Sequence, residues 1–191
     1  MFKIFNGVDS MSSLVGNLLD LGRIEAGVDL QLEMVPVTEV VDRITSVLQL
    51  QATQKRVQLL TEIAPGTVPL IEADPALLQQ ALNNLIDNAI KYTENGGVVT
   101  VRVSSTSQEI TFKVEDTGIG VAPVDVPRLF EKFFRGAQQG SKKHAGSGLG
   151  LAIVKSIAER HGGRVWVESQ FGKGSSFYLA IPLRQRKSRD R

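Results

Sequence analysis

The sequence contains no cysteine, which excludes disulfide-linked folds, thiolate metal sites, cysteine nucleophiles and thiol redox switches. It has no apolar run near the roughly 18 residues that a membrane-spanning helix needs, and its N-terminus lacks the pattern of a signal peptide. No internal repeat is present. These absences predict a segment that lies in the cytoplasm and does not contact a membrane, and they leave open whether a membrane anchor lies upstream.

The charge of the chain is unevenly distributed. Hydrophobic residues make up 42% and charged residues 22% of the 191 residues, which are ordinary values for a globular protein. The formal net charge is +2, but the last eight residues, Arg184 to Arg191, carry five basic side chains and one acidic side chain. The rest of the chain is therefore slightly acidic. A basic tail can bind nucleic acid, but it is more often a solvated, disordered end, so we expect no nucleic-acid partner.

The first part of the chain predicts two helices and a strand. Apolar residues at helical spacing indicate a helix over residues 10–26, ended by Gly27. Its apolar stripe predicts packing against another helix, in this chain or in a second one. Alternation predicts a strand over residues 30–34, and Thr38 is expected to cap a helix that runs to Gln54.

The remainder predicts an α+β sandwich. Asp74-Pro75 indicates a helix start, with a capping carboxylate followed by proline at the first helical position. Further helices are predicted over residues 124–134 and 148–160, and strands over 57–63, 69–72, 98–103, 109–115, 164–169 and 176–183. The strands at 98–103 and 109–115 should form a hairpin. Helices and hairpins without strict β-α-β alternation favour a sheet with helices on one face.

A stripe of polar residues marks the helix that begins after Asp74. Asn84, Asn88 and Lys91 lie at i, i+4 and i+7, so they share one side of the helix. A solvated face would also explain this stripe. An amide oxygen, however, suits Mg²⁺, which keeps several waters and binds one or two protein groups plus substrate phosphates. A lysine can bind phosphate as a point charge. The stripe is therefore a candidate magnesium–phosphate site.

The segment Asp116-Thr-Gly118-Ile-Gly120 follows a predicted strand. A simple turn would explain it, because aspartate and glycine are common in turns. If buried, the Asp116 carboxylate could accept a hydrogen bond from the exocyclic amine of adenine, and it would reject guanine, which presents an acceptor there. The glycines would let a flat ring lie against the main chain.

The segment Gly146-Ser-Gly148-Leu-Gly150-Leu enters a predicted helix, where free N–H groups can bind an anionic phosphate. A Rossmann fingerprint would have to follow a strand in a β-α-β unit, and a polar stretch precedes this segment instead. The P-loop pattern of glycine, four residues, then Gly-Lys-Ser/Thr is also absent. Both of these phosphate-binding motifs are therefore disfavoured.

Taken in order, these motifs resemble the ATP-binding catalytic domain of sensor histidine kinases, within the gyrase/chaperone/histidine-kinase/mismatch-repair ATPase superfamily. Residues 84–93 resemble the N box, 116–120 the first glycine box, 130–135 the F box, 146–151 the second glycine box and 172–177 the closing glycine motif. The resemblance implies an α+β, Bergerat-type fold over residues 29–183, a two-layer sandwich with a mixed, mostly antiparallel sheet and helices on one face. One isolated helix would precede it, and residues 184–191 would be a basic tail.

The resemblance implies a role for each matching residue. Asn88 would bind Mg²⁺, and Asn84 would lie near the phosphates. Lys91 and Arg135 would bind the phosphates and act in catalysis, and Asp116 would recognise adenine. The other residues expected to bind ATP are Tyr92, Gly118, Ile119, Gly120, Gly146, Gly148, Leu149, Gly150 and Ser175. Residues 135–147 would form a mobile lid over the nucleotide.

The resemblance also favours a kinase over an ATPase. Related ATPases place a glutamate at the position of Asn84, and an amide cannot act as the general base that activates water. The chain is therefore expected to bind ATP and to hydrolyse it poorly. The alternative function is a non-enzymatic module that senses nucleotide and regulates a partner.

Residues 1–28 resemble the second helix of the family's dimerisation and phosphoacceptor domain, without the first helix and its phosphoacceptor histidine. Neither histidine of the chain has the acceptor's context. His144 lies in the lid stretch, and His161 ends a helix, where interaction with the helix dipole would explain it. We therefore expect a C-terminal fragment whose partners are ATP, the phosphoacceptor helix of the same kinase or its dimer mate, and a response regulator.

Overall fold

The computed structural model describes residues 14–19, 21–27, 29–136 and 146–184. Helix α1 covers residues 14–19 and 21–25, and Gly27 follows it at a φ of +77°. The other helices are α2 (Val37–Gln54), α3 (Pro75–Tyr92) and α4 (Gly150–Arg160). The strands are β1 (Glu33–Pro36), β2 (Gln58–Ile63), β3 (Leu70–Ala73), β4 (Val98–Ser105), β5 (Glu109–Asp116), β6 (Arg164–Gln170) and β7 (Gly174–Pro182). Among these helices, none is long and apolar enough to cross a membrane.

Three predicted features lie partly or wholly outside the described residues. They are the start of the first helix, most of the lid stretch with His144, and the basic tail after Arg184.

Five strands form one mixed sheet in the order β2-β4-β5-β7-β6. β2 pairs with β4 in parallel, and the other three pairs are antiparallel, including the predicted β4–β5 hairpin. β1 and β3 form a separate two-stranded antiparallel sheet. α2, α3 and α4 all contact the main sheet, and the inward-facing residues of β4 and β5 are buried. The predicted α+β class, with a mixed, mostly antiparallel sheet, is confirmed.

The apolar side of α3 forms the centre of the core. The helix begins as predicted, because Asp74 Oδ1 accepts hydrogen bonds from the backbone N–H groups of Ala76 and Leu77, each at 3.1 Å. Pro75 occupies the first helical position. The residues of α3 that are at most 2% exposed are Leu78, Ala81, Leu82, Leu85, Ile86, Ala89 and Ile90. Burying each of the larger side chains stabilises the folded state by roughly 1.5–3 kcal/mol. These residues therefore fix the rotation of α3 about its own axis.

Helix α1 is not isolated. Leu21 and Ile24 are 2% and 5% exposed within the core, and Arg160 of α4 donates to the carbonyl oxygen of Ile24 at 2.7 Å. Glu25 forms an ion pair with Lys132 at 2.7 Å. The helix therefore packs on the rest of the chain, while its remaining apolar residues, Leu14, Val15, Leu18 and Leu19, stay between 39% and 60% exposed.

The predicted strand over residues 30–34 is wrong in position. β1 covers Glu33–Pro36, with Val35 buried opposite Ile71 of β3, and Met34 is 59% exposed. Pairing with β3 therefore overrides the local alternation. Thr38 is likewise not a cap, since α2 begins at Val37 and the preceding Pro36 makes no side-chain capping bond.

The predicted helix over residues 124–134 is also wrong. The structure has only a 3₁₀ turn at Val126–Arg128, flanked by turns. Pro127 has no N–H to donate and disfavours α-helical backbone at the residue before it. The segment instead closes bonds between residues three apart, such as Arg128 N to Asp125 O at 3.0 Å.

The dipole explanation for His161 is wrong because the ring is held neutral. His161 is fully buried at the end of α4, and its Nε2 accepts from the backbone N–H of Asp74 at 3.0 Å. Its Nδ1 therefore carries the proton and donates to the carbonyl oxygen of Ile157 at 2.9 Å. Burial lowers the pKa of His161 below its usual value. The ring joins the end of α4 to the start of α3.

The start of α3 provides a test of the fold. Asp74→Ala should lower the free energy of unfolding by about 1–2 kcal/mol, because three backbone N–H groups, including that of Gln31, bond to the carboxylate. Asp74→Asn is the matched control, since its single oxygen can still accept from Ala76 and Leu77, and it should lose less. Urea denaturation followed by circular dichroism measures both. Equal midpoints for wild type and Asp74→Ala would contradict this account.

Candidate nucleotide site

A cavity of about 390 Å³ lies between α3, the turn after β5 and the start of α4. It collects residues from all five of the motifs that the sequence singled out, including Ser175 and Phe177 of the closing glycine motif. The predicted site residues that line it are Asn84, Asn88, Lys91, Tyr92, Asp116, Gly120, Arg135, Gly146, Gly148, Gly150 and Ser175. The structure therefore brings together eleven of the fourteen predicted binding residues.

One wall of the cavity is the polar side of α3. Its apolar side is fixed in the core, so Asn84, Asn88 and Lys91 face away from the core and into the cavity. The start of α4 packs closely on this wall. A β-carbon at Gly150 would lie 3.3 Å from Asn84 Oδ1 and 3.8 Å from Asn88 Nδ2. Glycine thus lets the N-terminus of α4 approach the two amides.

The opposite wall is the turn that follows β5. Asp116 is 6% exposed, and its Oδ1 accepts from the backbone N–H of Gly118 at 2.8 Å. Its neighbour across the sheet is Ser175 of β7, which also lines the cavity. Gly120 has a φ of +65°, and a β-carbon there would collide with the carbonyl oxygen of Gln170. Any other residue at Gly120 would therefore displace this turn.

Burial raises the pKa of Asp116 to about 6, although backbone hydrogen bonds from Gly118 and Ser175 favour the ionised form. The loss of water around the carboxylate outweighs those bonds. At neutral pH the cavity therefore holds a destabilised negative charge that gains from any hydrogen-bond donor placed beside it.

Cations gather at the other end of the cavity. Lys91 and Arg135 both line it, and Asp87 lies one turn before Lys91 on α3. Burial lowers the pKa of Lys91, the carboxylate of Asp87 opposes this, and the Arg135 guanidinium adds to it. A β-carbon at Gly146 would lie 2.7 Å from Lys91 Nζ, so the glycine leaves room for the ammonium group. This end of the cavity suits an anion.

Three predicted binding residues do not line the cavity. Gly118 and Ile119 lie behind Asp116, where Ile119 N donates to the carbonyl oxygen of Tyr92 at 3.2 Å. Leu149 is fully buried in the core. All three hold the walls in place rather than facing the space between them.

The structure adds residues that the sequence reasoning missed. Asp87 and Asn83 line the cavity beside the predicted stripe on α3. Asp87 could have been identified from the sequence, because it lies at i−4 from Lys91 and therefore on the same side of the helix. Asn17 of α1 also lines it, with its amide 3.4 Å from Ser147 Oγ. The other additions are Ala89, Val121, Leu129, Phe134, Ser147, Leu151 and Phe177. Asn17 arrives only through the packing of α1, for which the local sequence has no signal.

The residues of the cavity fit a magnesium ion bound together with phosphates. Within the described ranges, no group of three or more His, Cys, Asp or Glu side chains could hold a metal. A self-contained protein site for a metal is therefore not found there. The amides of Asn84 and Asn88, next to two cations, match the other arrangement, in which few protein oxygens bind Mg²⁺ and the substrate supplies the rest.

Comparisons with known proteins agree with this geometry. The sequence model for histidine kinase-, DNA gyrase B- and HSP90-like ATPases matches residues 73–185. The circadian input-output histidine kinase CikA of Synechococcus elongatus is 35% identical over 181 residues, which cover 94% of this chain and 24% of CikA. The curated relatives are longer, and the chain spans less than half the length of each of the first ones it matches.

Two solved structures are also similar. Full-length ShkA, crystallised in complex with AMPPNP, has a TM-score of 0.83 and 31% identity, over 96% of this chain and 38% of ShkA. The histidine kinase ThkA, crystallised in complex with the response regulator protein TrrA, has a TM-score of 0.74 over 94% of this chain and 49% of ThkA. Its 21% identity shows a common fold.

The buried carboxylate predicts an unusual pH dependence. Because the folded-state pKa of Asp116 is about 6 against an ordinary 3.8, folding favours the protonated acid. Its stability contribution is therefore complete below the unfolded value and is lost as the pH rises through 6. At pH 8 the ionised group should cost on the order of 3 kcal/mol.

Asp116→Asn cannot ionise, so without ligand it should gain stability relative to wild type as the pH rises from 5 to 8. Urea denaturation at each pH measures this difference, and the contribution of His161, which is the same in both proteins, cancels. If the free energy of unfolding depended on pH in the same way in both proteins, the carboxylate of Asp116 would not be destabilised by burial.

Proposed function

Because the chain belongs to the family of histidine kinase-, DNA gyrase B- and HSP90-like ATPases, we propose that it binds Mg²⁺-ATP in this cavity and donates the γ-phosphoryl group to a histidine. One observation carries the proposal: a single cavity has a buried carboxylate at one wall and a cluster of amides and cations at the other. The carboxylate matches the adenine of ATP, which is neutral and donates a hydrogen bond. The amides and cations match the triphosphate, which is a polyanion.

The base end is the turn after β5. Asp116 is an acceptor, so it takes a hydrogen bond from the exocyclic amine of adenine, and the destabilised charge makes that bond favourable. Guanine presents a carbonyl oxygen at the same position, so the carboxylate would lose the ligand's hydrogen bond and face a second acceptor, which costs about 1–3 kcal/mol or more. Ser175 and the Gly120 backbone border the ring, and Tyr92 flanks it.

The phosphate end combines α3 with the start of α4. Lys91 and Arg135 supply positive charge, and Arg135 acts at the γ-phosphate, where charge develops during transfer. The backbone of Gly146, Gly148 and Gly150 leads into the N-terminus of α4, whose free N–H groups favour an anion. Asn88 is the protein ligand for Mg²⁺, with Asn84 close to the phosphates. The ion, when bound, offsets the negative charge of the phosphate oxygens.

Asn84 directs the chemistry towards transfer. An amide cannot remove a proton from water, so a water molecule beside the γ-phosphate is not activated. The bond from the γ-phosphorus to the β-phosphate oxygen instead breaks as a bond forms to an imidazole nitrogen. ADP leaves, and the proton on the other ring nitrogen of the imidazole passes to solvent.

The acceptor histidine lies outside this chain, on the phosphoacceptor helix of the same kinase or of its dimer mate. Residues 1–28 then belong to the dimerisation and phosphoacceptor domain, residues 29–183 form the catalytic domain, and residues 184–191 form a basic tail. A response-regulator aspartate receives the phosphoryl group from the histidine, as the complex of ThkA with TrrA suggests. These steps take place in the cytoplasm.

Transfer can be tested with ATP labelled at the γ-phosphate. The isolated chain should bind ATP but retain no label, and adding a protein segment that carries the missing acceptor helix should produce an acid-labile, labelled histidine. Label retained on the isolated chain would contradict the assignment of the acceptor. Sustained release of ADP without an acceptor would instead support an ATPase, and ATP-dependent binding of a partner without transfer would support the sensing module.

Two substitutions separate the ends of the site. Asp116→Asn should lower the affinity for ATP and for adenosine equally, by about 10- to 100-fold, because the amide presents a donor where an acceptor is needed. Asn88→Ala should weaken ATP only when Mg²⁺ is present and should leave adenosine binding unchanged. Asn95→Ala, in the exposed turn after α3, is the matched control. Isothermal titration calorimetry with and without a chelator measures these effects, and an equal loss in both variants under all conditions would refute the two assignments.

A further inference from the structure

The end of α3 is held by groups from two other parts of the chain. The last carbonyl groups of a helix have no partner further along it, so their bonds must come from elsewhere. Thr93 supplies both its N–H and its hydroxyl to Ala89 O, at 3.0 and 2.7 Å. Ile119 N, in the turn after β5, donates to Tyr92 O. Two carbonyl groups remain, those of Ile90 and Lys91.

Lys55 supplies the bonds for both of these carbonyl groups. Its ammonium group donates to Ile90 O at 2.7 Å and also to Lys91 O. Lys55 is the residue that directly follows α2, and its half-buried side chain places a positive charge at the negative end of the α3 dipole. One turn earlier on α2, Gln51 donates to Asp87 Oδ1 at 2.7 Å. α2 thus contacts α3 through two polar residues at i and i+4.

We propose that Lys55 is a positioning residue for the nucleotide site, which holds the last turn of α3 so that the Lys91 ammonium points into the cavity. The inference rests on the proposed function. Lys55 does not line the cavity, so it acts through α3 rather than on the nucleotide.

Electrostatics work in the same direction. The ammonium groups of Lys55 and Lys91 repel each other, and this repulsion contributes to lowering the pKa of Lys55, after burial. With Lys55 bonded to the carbonyl oxygens of Ile90 and Lys91 outside the cavity lining, the Lys91 side chain gains by extending away from the Lys55 ammonium, towards the phosphate end. Gln51 acts with Lys55 by holding Asp87, the carboxylate that favours the charged form of Lys91.

A double-mutant cycle between Lys55 and Lys91 tests the inference. Lys55→Met keeps the length of the side chain and removes its donors, and Lys55→Arg restores donors and charge. The matched control is Lys155→Met, which removes one positive charge from an exposed position of α4. Affinities for ATP and adenosine are measured by calorimetry below the melting temperature of each variant, and Lys55→Leu, which also lacks donors, replaces Lys55→Met if that variant does not fold.

Lys55→Met should lower the affinity for ATP by about 3- to 10-fold and the affinity for adenosine by less than about 2-fold. Lys55→Arg should bind ATP with most of the wild-type affinity. In a Lys91→Met background, Lys55→Met should cause almost no further loss, because the group that it positions is gone. The control should bind ATP like wild type.

Three outcomes would overturn the inference while leaving the proposed function intact. One is unchanged ATP affinity in Lys55→Met with only a lower melting temperature, which shows a merely structural role. Another is full additivity with Lys91→Met, which shows that Lys55 acts on the phosphates through its charge alone. The third is an equal loss for ATP and adenosine. If wild type binds no ATP, the proposed function fails, and the inference fails with it.

Discussion

The structure depends on α3 facing two environments at once. Its apolar side must lie in the core between the main sheet and the neighbouring helices, and that requirement leaves one rotation of the helix. The same rotation turns Asn84, Asn88 and Lys91 into the cavity. Asp74 fixes where the helix begins, and Lys55 with the turn after β5 holds its end. Core packing and the polar site are therefore set by one element, so a change in the register of α3 would disrupt both together.

The second constraint is a charge that burial largely removes from water. Asp116 ends β5 and is buried against the sheet, so its ionised form is unfavourable until a ligand supplies a donor. Strongly shifted pKa values of buried groups are found most often at functional sites. The glycines around Asp116 allow the turn to fold tightly enough to bury it, since a β-carbon at Gly118 would lie 2.8 Å from Asp116 Oδ1. The ionised Asp116 therefore lowers the stability of the folded chain at the position that is proposed to recognise adenine.

Local signals account for the parts that could be predicted from the sequence. The Asp74-Pro75 start and the paired apolar residues of α3 act within a few turns, so the helix and its polar stripe could be inferred without knowing the fold. The β4–β5 hairpin is equally local. β1 could not be placed in this way, because its register comes from β3, far along the chain. The segment around Pro127 has helical apolar spacing, but the proline prevents the helix. Asn17 reaches the cavity only because Leu21 and Ile24 bury α1 on the rest of the chain.

A crystal structure of this chain with AMPPNP and Mg²⁺ would show which end of the nucleotide meets which wall of the cavity. We expect the adenine amine about 3 Å from a carboxylate oxygen of Asp116, within ordinary hydrogen-bond distance, and the phosphates between Asn88, Lys91 and the start of α4. A nucleotide bound in the reverse orientation, or bound on another surface while this cavity stays empty, would contradict this expectation.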